Sequence, residues 1–258
     1  MLKWTAVAAM AAAMTSSVGG AKPPAAQKPT IVLVHGAFAD ASSWNGVAKI
    51  LAAKGYTVTA VANPLRGVES DATYLSTLVK SIRTPVVLVG HSYGGSVISS
   101  VGGDTKNVKA LVYVAAFEPE VGESSLELTG KFPGSTLAGT LAPAVALPEG
   151  GHDLYIQQDK FPHQFAADVP ADDASLMAVA QRPVKDAALG EKAKVAAWKH
   201  IPSWAVYGTG DLNIPPSAMT FMANRAKSKA TIIDGASHVV MISHPQEVAE
   251  VILAAAGA

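Results

Sequence analysis

Val86-Val87-Leu88-Val89-Gly90-His91-Ser92-Tyr93-Gly94-Gly95 decides how this chain is read. A continuous apolar, β-branched run reads as a strand buried on both faces, and a G-x-S-x-G pentapeptide follows it directly. Glycines two residues before and after Ser92 predict a very sharp strand-to-helix turn, because small neighbours let the backbone cross itself without clashing. In such a turn the serine is held in a strained conformation with its Oγ raised above the sheet. The segment Tyr93–Val101 continues as a helix, with Gly95 easing its approach to the strand. The pentapeptide alone also occurs by chance in glycine-rich loops; the strand before it and the helix after it make Ser92 a candidate nucleophile.

The same alternation extends outward in both directions. Strands are predicted at Thr30–Val34, Tyr56–Val61, Val86–Val89, Val108–Val114, Ser203–Tyr207 and Ala230–Ile233. Helices are predicted at Trp44–Lys54 (with Gly55 closing it), Asp71–Ile82, Tyr93–Val101, Pro216–Ala226 and Pro245–Ala255. Strands that alternate with helices imply an α/β fold, with a mostly parallel six-stranded sheet covered by helices on both faces. The stretch from about 118 to 200 breaks this rhythm, with recurrent Pro and Gly and no strong strand signal. It is too long for an ordinary loop and reads as a cap insertion over the sheet's carboxyl edge, helical at Asp172–Ala180 and Asp186–Trp198.

Composition narrows the classes. At 258 residues, 49% hydrophobic and 16% charged, the chain suits one globular domain with a large core. Twenty basic and twenty acidic residues cancel without a basic cluster, which argues against nucleic acid or an anionic membrane surface as partner. The absence of cysteine excludes disulfides, thiolate nucleophiles and cysteine-based metal sites. No H-E-x-x-H, phosphate-binding Walker loop or dinucleotide fingerprint is found, so no cofactor is implied. At the N-terminus Lys3, the apolar run Trp4–Met14 and the small, polar stretch Thr15–Ala21 have the layout of a signal peptide over residues 1–21. That run is too short to span a bilayer, so an exported, periplasmic or secreted protein without stable membrane insertion is expected. Residues 22–29 read as a linker and residues 30–258 as the folded domain.

A serine hydroxyl needs a neighbouring base, usually histidine, to become a nucleophile. Of the seven histidines, His35 and His91 lie in turns with backbone roles, His152, His163 and His200 fall in or beside the irregular insertion, and His244 starts a helix. His238, in Gly235-Ala236-Ser237-His238 just past the last strand, would be delivered to the carboxyl edge and is the candidate base. Asp211 reaches the same edge through Gly208-Thr209-Gly210 and is the candidate carboxylate to hold the imidazole; Asp234 is its rival, placed more as a turn residue. The backbone N–H groups of Tyr93, after the serine, and of Ala37, in the loop after the first strand, are the candidate oxyanion donors. Tyr155, Phe161, Phe165, Leu176 and Met177 either line an apolar pocket or pack the insertion's own core.

Taken together, Val-Leu-Val-His-Gly-Ala-Phe with Trp44, Val-Gly-His-Ser-Tyr-Gly-Gly, Gly-Thr-Gly-Asp-Leu-Asn-Ile-Pro-Pro and Gly-Ala-Ser-His-Val-Val-Met-Ile-Ser-His-Pro resemble the α/β-hydrolase family over most of Thr30–Ala256. The chain looks most like the small branch holding plant-type methyl esterases, hydroxynitrile lyases and bacterial relatives, which begins at the His-Gly strand. Its nucleophile, acid and base order falls on Ser92, Asp211 and His238, and its oxyanion amides on Ala37 and Tyr93. Val239 stands where the lyases carry a lysine after the histidine, which favours ester hydrolysis. The resemblance implies a serine carboxylic-ester hydrolase acting on small to medium esters. Lactonase, C–C hydrolase or cofactor-free perhydrolase chemistry on the same residues, and a ligand-binding receptor on this fold, are the alternatives.

Overall fold

The computed structural model describes residues 27–101 and 105–258. The signal-peptide expectation and most of the linker lie outside these residues. Strands β1 (Thr30–Val34), β2 (Val58–Val61), β3 (Val86–His91), β4 (Val108–Val114), β8 (Ser203–Gly208) and β9 (Lys229–Ile233) form one six-stranded parallel sheet. The insertion between β4 and β8 contributes β5 (Val145–Ala146), β6 (His152–Leu154) and β7 (Val184–Lys185), which pair antiparallel in a separate small sheet. Order in the large sheet is β2-β1-β3-β4-β8-β9, so the direction of winding reverses between β1 and β3. Crevices at the carboxyl ends of strands flanking such a switch are where open α/β sheets bind ligands.

Every residue of β1, β3 and β8 is buried, as their unbroken apolar runs require of strands covered on both faces. Helix α1 (Asn45–Ala53) packs on α10 (Pro245–Ala256), α2 (Val68–Ser81) packs on α3 (Tyr93–Val101), and both α3 and α10 lie against β3 and β4. Helix α8 (Pro216–Ala226) lies against β8, and the one-turn α9 (Val240–Ser243) precedes α10. Gly55 takes a left-handed φ of 77° just beyond α1, where a helix ends most cheaply on glycine.

The insertion departs from its expected outline. Helices α4 (Ser125–Gly130), α5 (Phe161–Phe165), α6 (Ala171–Ala180) and α7 (Asp186–Gly190) are all short. The expected helix Asp186–Trp198 stops at Gly190 and resumes only as a 3-10 turn at Ala197–Lys199. Tertiary contacts explain the break. The Glu191 carboxylate turns away to accept the Val68 and Glu69 N–H groups at the start of α2, at 2.7 and 3.1 Å. Ala193 is held extended by exchanging backbone hydrogen bonds with Gly122 and Glu123. The small sheet β5-β6-β7 was not anticipated either; strands of two or three residues are too short to show alternation.

Candidate active site

Backbone strain gathers at the sheet's carboxyl edge. Of the five non-glycine residues with positive φ among those described, Phe38, Leu65, Ser92 and Ala115 follow the ends of β1, β2, β3 and β4. Ser92 has φ 53° and Phe38 φ 61°; for residues with a Cβ this conformation costs about 1–2 kcal/mol each. The elbow around Ser92 closes because its neighbours lack side chains. A Cβ on Gly90 would lie 2.5 Å from the Gly94 carbonyl oxygen, and one on Gly94 would lie 2.6 Å from that of Val34. The loop after β1 presses on the same elbow: a Cβ on Gly36 would sit 2.6 Å from the Ser92 Cβ and 3.2 Å from the Tyr93 nitrogen.

Ala37 and Tyr93 line the same cavity as Ser92. Among the described residues neither Ala37 nor Tyr93 donates its backbone N–H to a protein acceptor, whereas Phe38 donates to the Arg182 carbonyl at 2.9 Å. Tyr93 is the first residue of α3, whose N–H has no partner within the helix. Its side chain is fully buried and its hydroxyl donates to Asp71 at 2.9 Å, a link the sequence reading missed.

His238 and Asp211 are both buried, and His238 Nδ1 donates to Asp211 Oδ2 at 2.6 Å. The carboxylate partner assigns the ring proton to Nδ1 and leaves Nε2 with its lone pair. Asp211 Oδ1 accepts the backbone N–H groups of Asn213 (2.7 Å) and Ile214 (3.0 Å), which fixes the carboxylate in orientation. Asn213 is itself clamped by Gln164 of α5, through Asn213 Nδ2 to the Gln164 carbonyl at 3.0 Å. The insertion thus braces the loop that carries Asp211. Asp234 does not compete: it is exposed and accepts the Thr209 hydroxyl at 2.8 Å.

Ser92 and His238 line one cavity of about 170 Å³ above the elbow. No direct hydrogen bond joins the two side chains in this structure; such contacts commonly tighten only in the substrate complex. Phe117, Leu126, Leu137, Leu141, Phe165 and Ile214 are among the other residues of the wall, and no Asp, Glu, Lys or Arg is among the described lining residues. Of the aromatic residues in the insertion, Phe165 lines this cavity edge-on to His238 (5.0 Å between centroids), while Phe161 is wholly buried behind it. Leu176 and Met177 border a different cleft. His152, His163 and His200 are exposed. No group of three potential ligands among the described residues is placed to hold a metal ion, and no described helix is long and apolar enough to cross a membrane.

Two further histidines shape the site from behind. His91 Nε2 donates to the His238 carbonyl at 3.0 Å, and its ring lies 4.8 Å from the His238 ring. His35 Nδ1 donates to the Gly36 carbonyl at 2.9 Å while Nε2 accepts the Asn63 N–H at 3.0 Å, pinning the loop that carries Ala37. Burial pushes the His35 imidazole down to about 4, and burial with the neighbouring His238 holds His91 well below the ordinary range. A depressed folded-state value means the unfolded chain binds the proton first as pH falls. For His35 the stability tied to its neutral ring is therefore complete above about pH 6.5 and lost toward pH 4, about 3 kcal/mol in all, and His91 acts in the same direction. Thermal unfolding between pH 7 and 4 should show a steep fall in Tm that is shallower in His35→Gln; equal slopes would remove His35 as a cause.

The sequence profile of the Alpha/beta hydrolase family matches residues 31–251, nearly the whole described domain. This chain belongs to the α/β-hydrolase family. It is 28% identical over 252 residues to the α/β hydrolase nvfD of Aspergillus novofumigatus, covering 89% of this chain and 97% of the relative. It is 25% identical over 254 residues to Methylesterase 2 of Arabidopsis thaliana, again covering 89% and 97%. Among solved structures, polyneuridine aldehyde esterase superposes with a TM-score of 0.76 at 21% identity, covering 88% of this chain and 99% of that one. In this α/β-hydrolase the switch-point crevice of the sheet and the serine elbow coincide, as the fold requires.

Proposed function

We propose that the protein is a serine carboxylic-ester hydrolase acting on small, neutral, apolar esters. The observation carrying this reading is the buried His238–Asp211 pair at 2.6 Å opening onto the same cavity as a strained Ser92. In this mechanism Ser92 Oγ attacks the ester carbonyl as His238 Nε2 takes its proton. The N–H groups of Ala37 and Tyr93 receive the charge that develops on the carbonyl oxygen. His238 then returns the proton to the departing alcohol, and a water activated by the same ring releases the acid from Ser92.

Substrate character follows from the wall. A cavity of about 170 Å³ compares with the roughly 150 Å³ void that accommodates benzene, so one ring or a short chain fills it. With no charged lining side chain, a substrate carrying a carboxylate or ammonium would lose hydration without gaining a partner. The names of similar proteins, methylesterase and esterase, agree with ester chemistry rather than with a receptor role. The leader-like N-terminus makes export part of the same proposal. The deciding test is a fluorophosphonate probe followed by peptide mapping, run beside a panel of methyl and p-nitrophenyl esters. Stoichiometric modification at Ser92 with ester turnover is expected; an unmodified Ser92 in folded protein would overturn the reading.

A further inference from the structure

Phe38 borders two separate spaces. One is the 170 Å³ cavity shared by Ser92 and His238; the other is a cleft of about 650 Å³ reaching toward α6 and α9. We infer that the Phe38 ring is the wall that sets the upper size of the ligand's apolar arm, closing off an apolar cleft that would otherwise extend the site. This rests on the ester-hydrolase reading for its reaction but not for its geometry.

Several observations place this ring as a fixed partition. It is 3% exposed and meets Phe165 edge-on at 6.1 Å between centroids. Its backbone is held at φ 61° and tied to the insertion by the hydrogen bond from its N–H to the Arg182 carbonyl. A strained aromatic residue persists only where its surroundings fix it, and here it directly follows Ala37, whose N–H has no protein acceptor among the described residues. Leu176, Met177 and Ala180 of α6 and Ile242 of α9 share the cleft beyond it. Leu176, 68% exposed, carries apolar surface of this cleft out to solvent. The cleft's polar lining (Asp40, Ser42, Ser43, Asn45, Asp173 and Gln181) carries no cation among the described residues, which disfavours an anionic chain.

The test uses n-alkyl methyl ketones of increasing length, which carry the ester's carbonyl but no leaving group, with affinity read by calorimetry. In the wild type each added methylene should improve Kd about fourfold until the small cavity is full, and then the series should level off. Phe38→Ala should continue the gain for several more carbons, and Phe38→Leu for fewer, which covers the case of an unfolded alanine variant. Met177→Trp, which fills the far cleft, should leave the wild-type series unchanged and cancel the extension in the double variant. The inference fails if folded Phe38→Ala or Phe38→Leu levels off at the wild-type length. It also fails if Met177→Trp shortens the wild-type series, since the cleft would then already be in use. Extended ketone binding without fluorophosphonate modification or ester turnover would leave the wall standing and overturn the hydrolase reading alone.

Discussion

Ser92→Ala should lower kcat on any ester the wild type turns over by roughly 10⁵-fold, leaving KM within a few-fold. The loss is large because a serine–histidine–aspartate set acts as one unit, and without the hydroxyl no covalent intermediate forms. What remains comes from a water attacking a carbonyl still polarised by the Ala37 and Tyr93 N–H groups, worth roughly 10³–10⁴ over the uncatalysed rate in comparable sites. The fold should not suffer. Alanine fits at φ 53° as poorly as serine does, so Tm should stay close to wild type. Ser92→Gly should raise stability by about 1 kcal/mol with activity equally lost, because only glycine relaxes in the left-handed region. Rates with purified protein and thermal unfolding of the three proteins check both halves; Ser92→Ala retaining more than a tenth of wild-type kcat would remove the hydroxyl from the chemistry.

Asp211→Asn should cost about 10⁴-fold in kcat through the histidine's tautomer. Oδ1 of Asp211 accepts two backbone N–H groups, from Asn213 and Ile214, so an asparagine must present its oxygen there. Its NH₂ then faces His238 Nδ1, at the position where Oδ2 now accepts at 2.6 Å. The ring nitrogen has to accept, the ring proton moves to Nε2, and the lone pair needed by Ser92 disappears. The substitution is nearly isosteric and the loop stays braced by Gln164, so substrate binding should be little changed. Steady-state kinetics of Asp211→Asn and Asp234→Asn separate the two carboxylates: the second should be near wild type, and the reverse ranking would transfer the role to Asp234.

Much of this arrangement is legible in the sequence for a local reason. Runs such as Thr30–Val34 and Val108–Val114 admit little but buried strand, and the observed strands have those bounds. Tyr93–Val101 and Pro216–Ala226 likewise form helices over the spans their spacing predicts. The insertion resisted because its conformation is set by distant partners. Nothing in Glu191 itself says that it leaves a helix to close the start of α2, and nothing in Val145–Ala146 or Val184–Lys185 marks a strand.

The linear chain determined the glycine-bounded elbow at Ser92, the edge on which His238 and Asp211 emerge, and the family to which they belong. Each depends on residues adjacent in sequence, where steric exclusion by a missing or present Cβ acts directly. Folding decided that Asp211 rather than Asp234 receives the imidazole, that Phe38 but, among the described residues, not Ala37 donates its N–H to a backbone carbonyl, and that Phe38 borders two separate spaces. Those outcomes depend on separations of a few ångström between segments far apart in the chain, which only the packed insertion and the wound sheet impose.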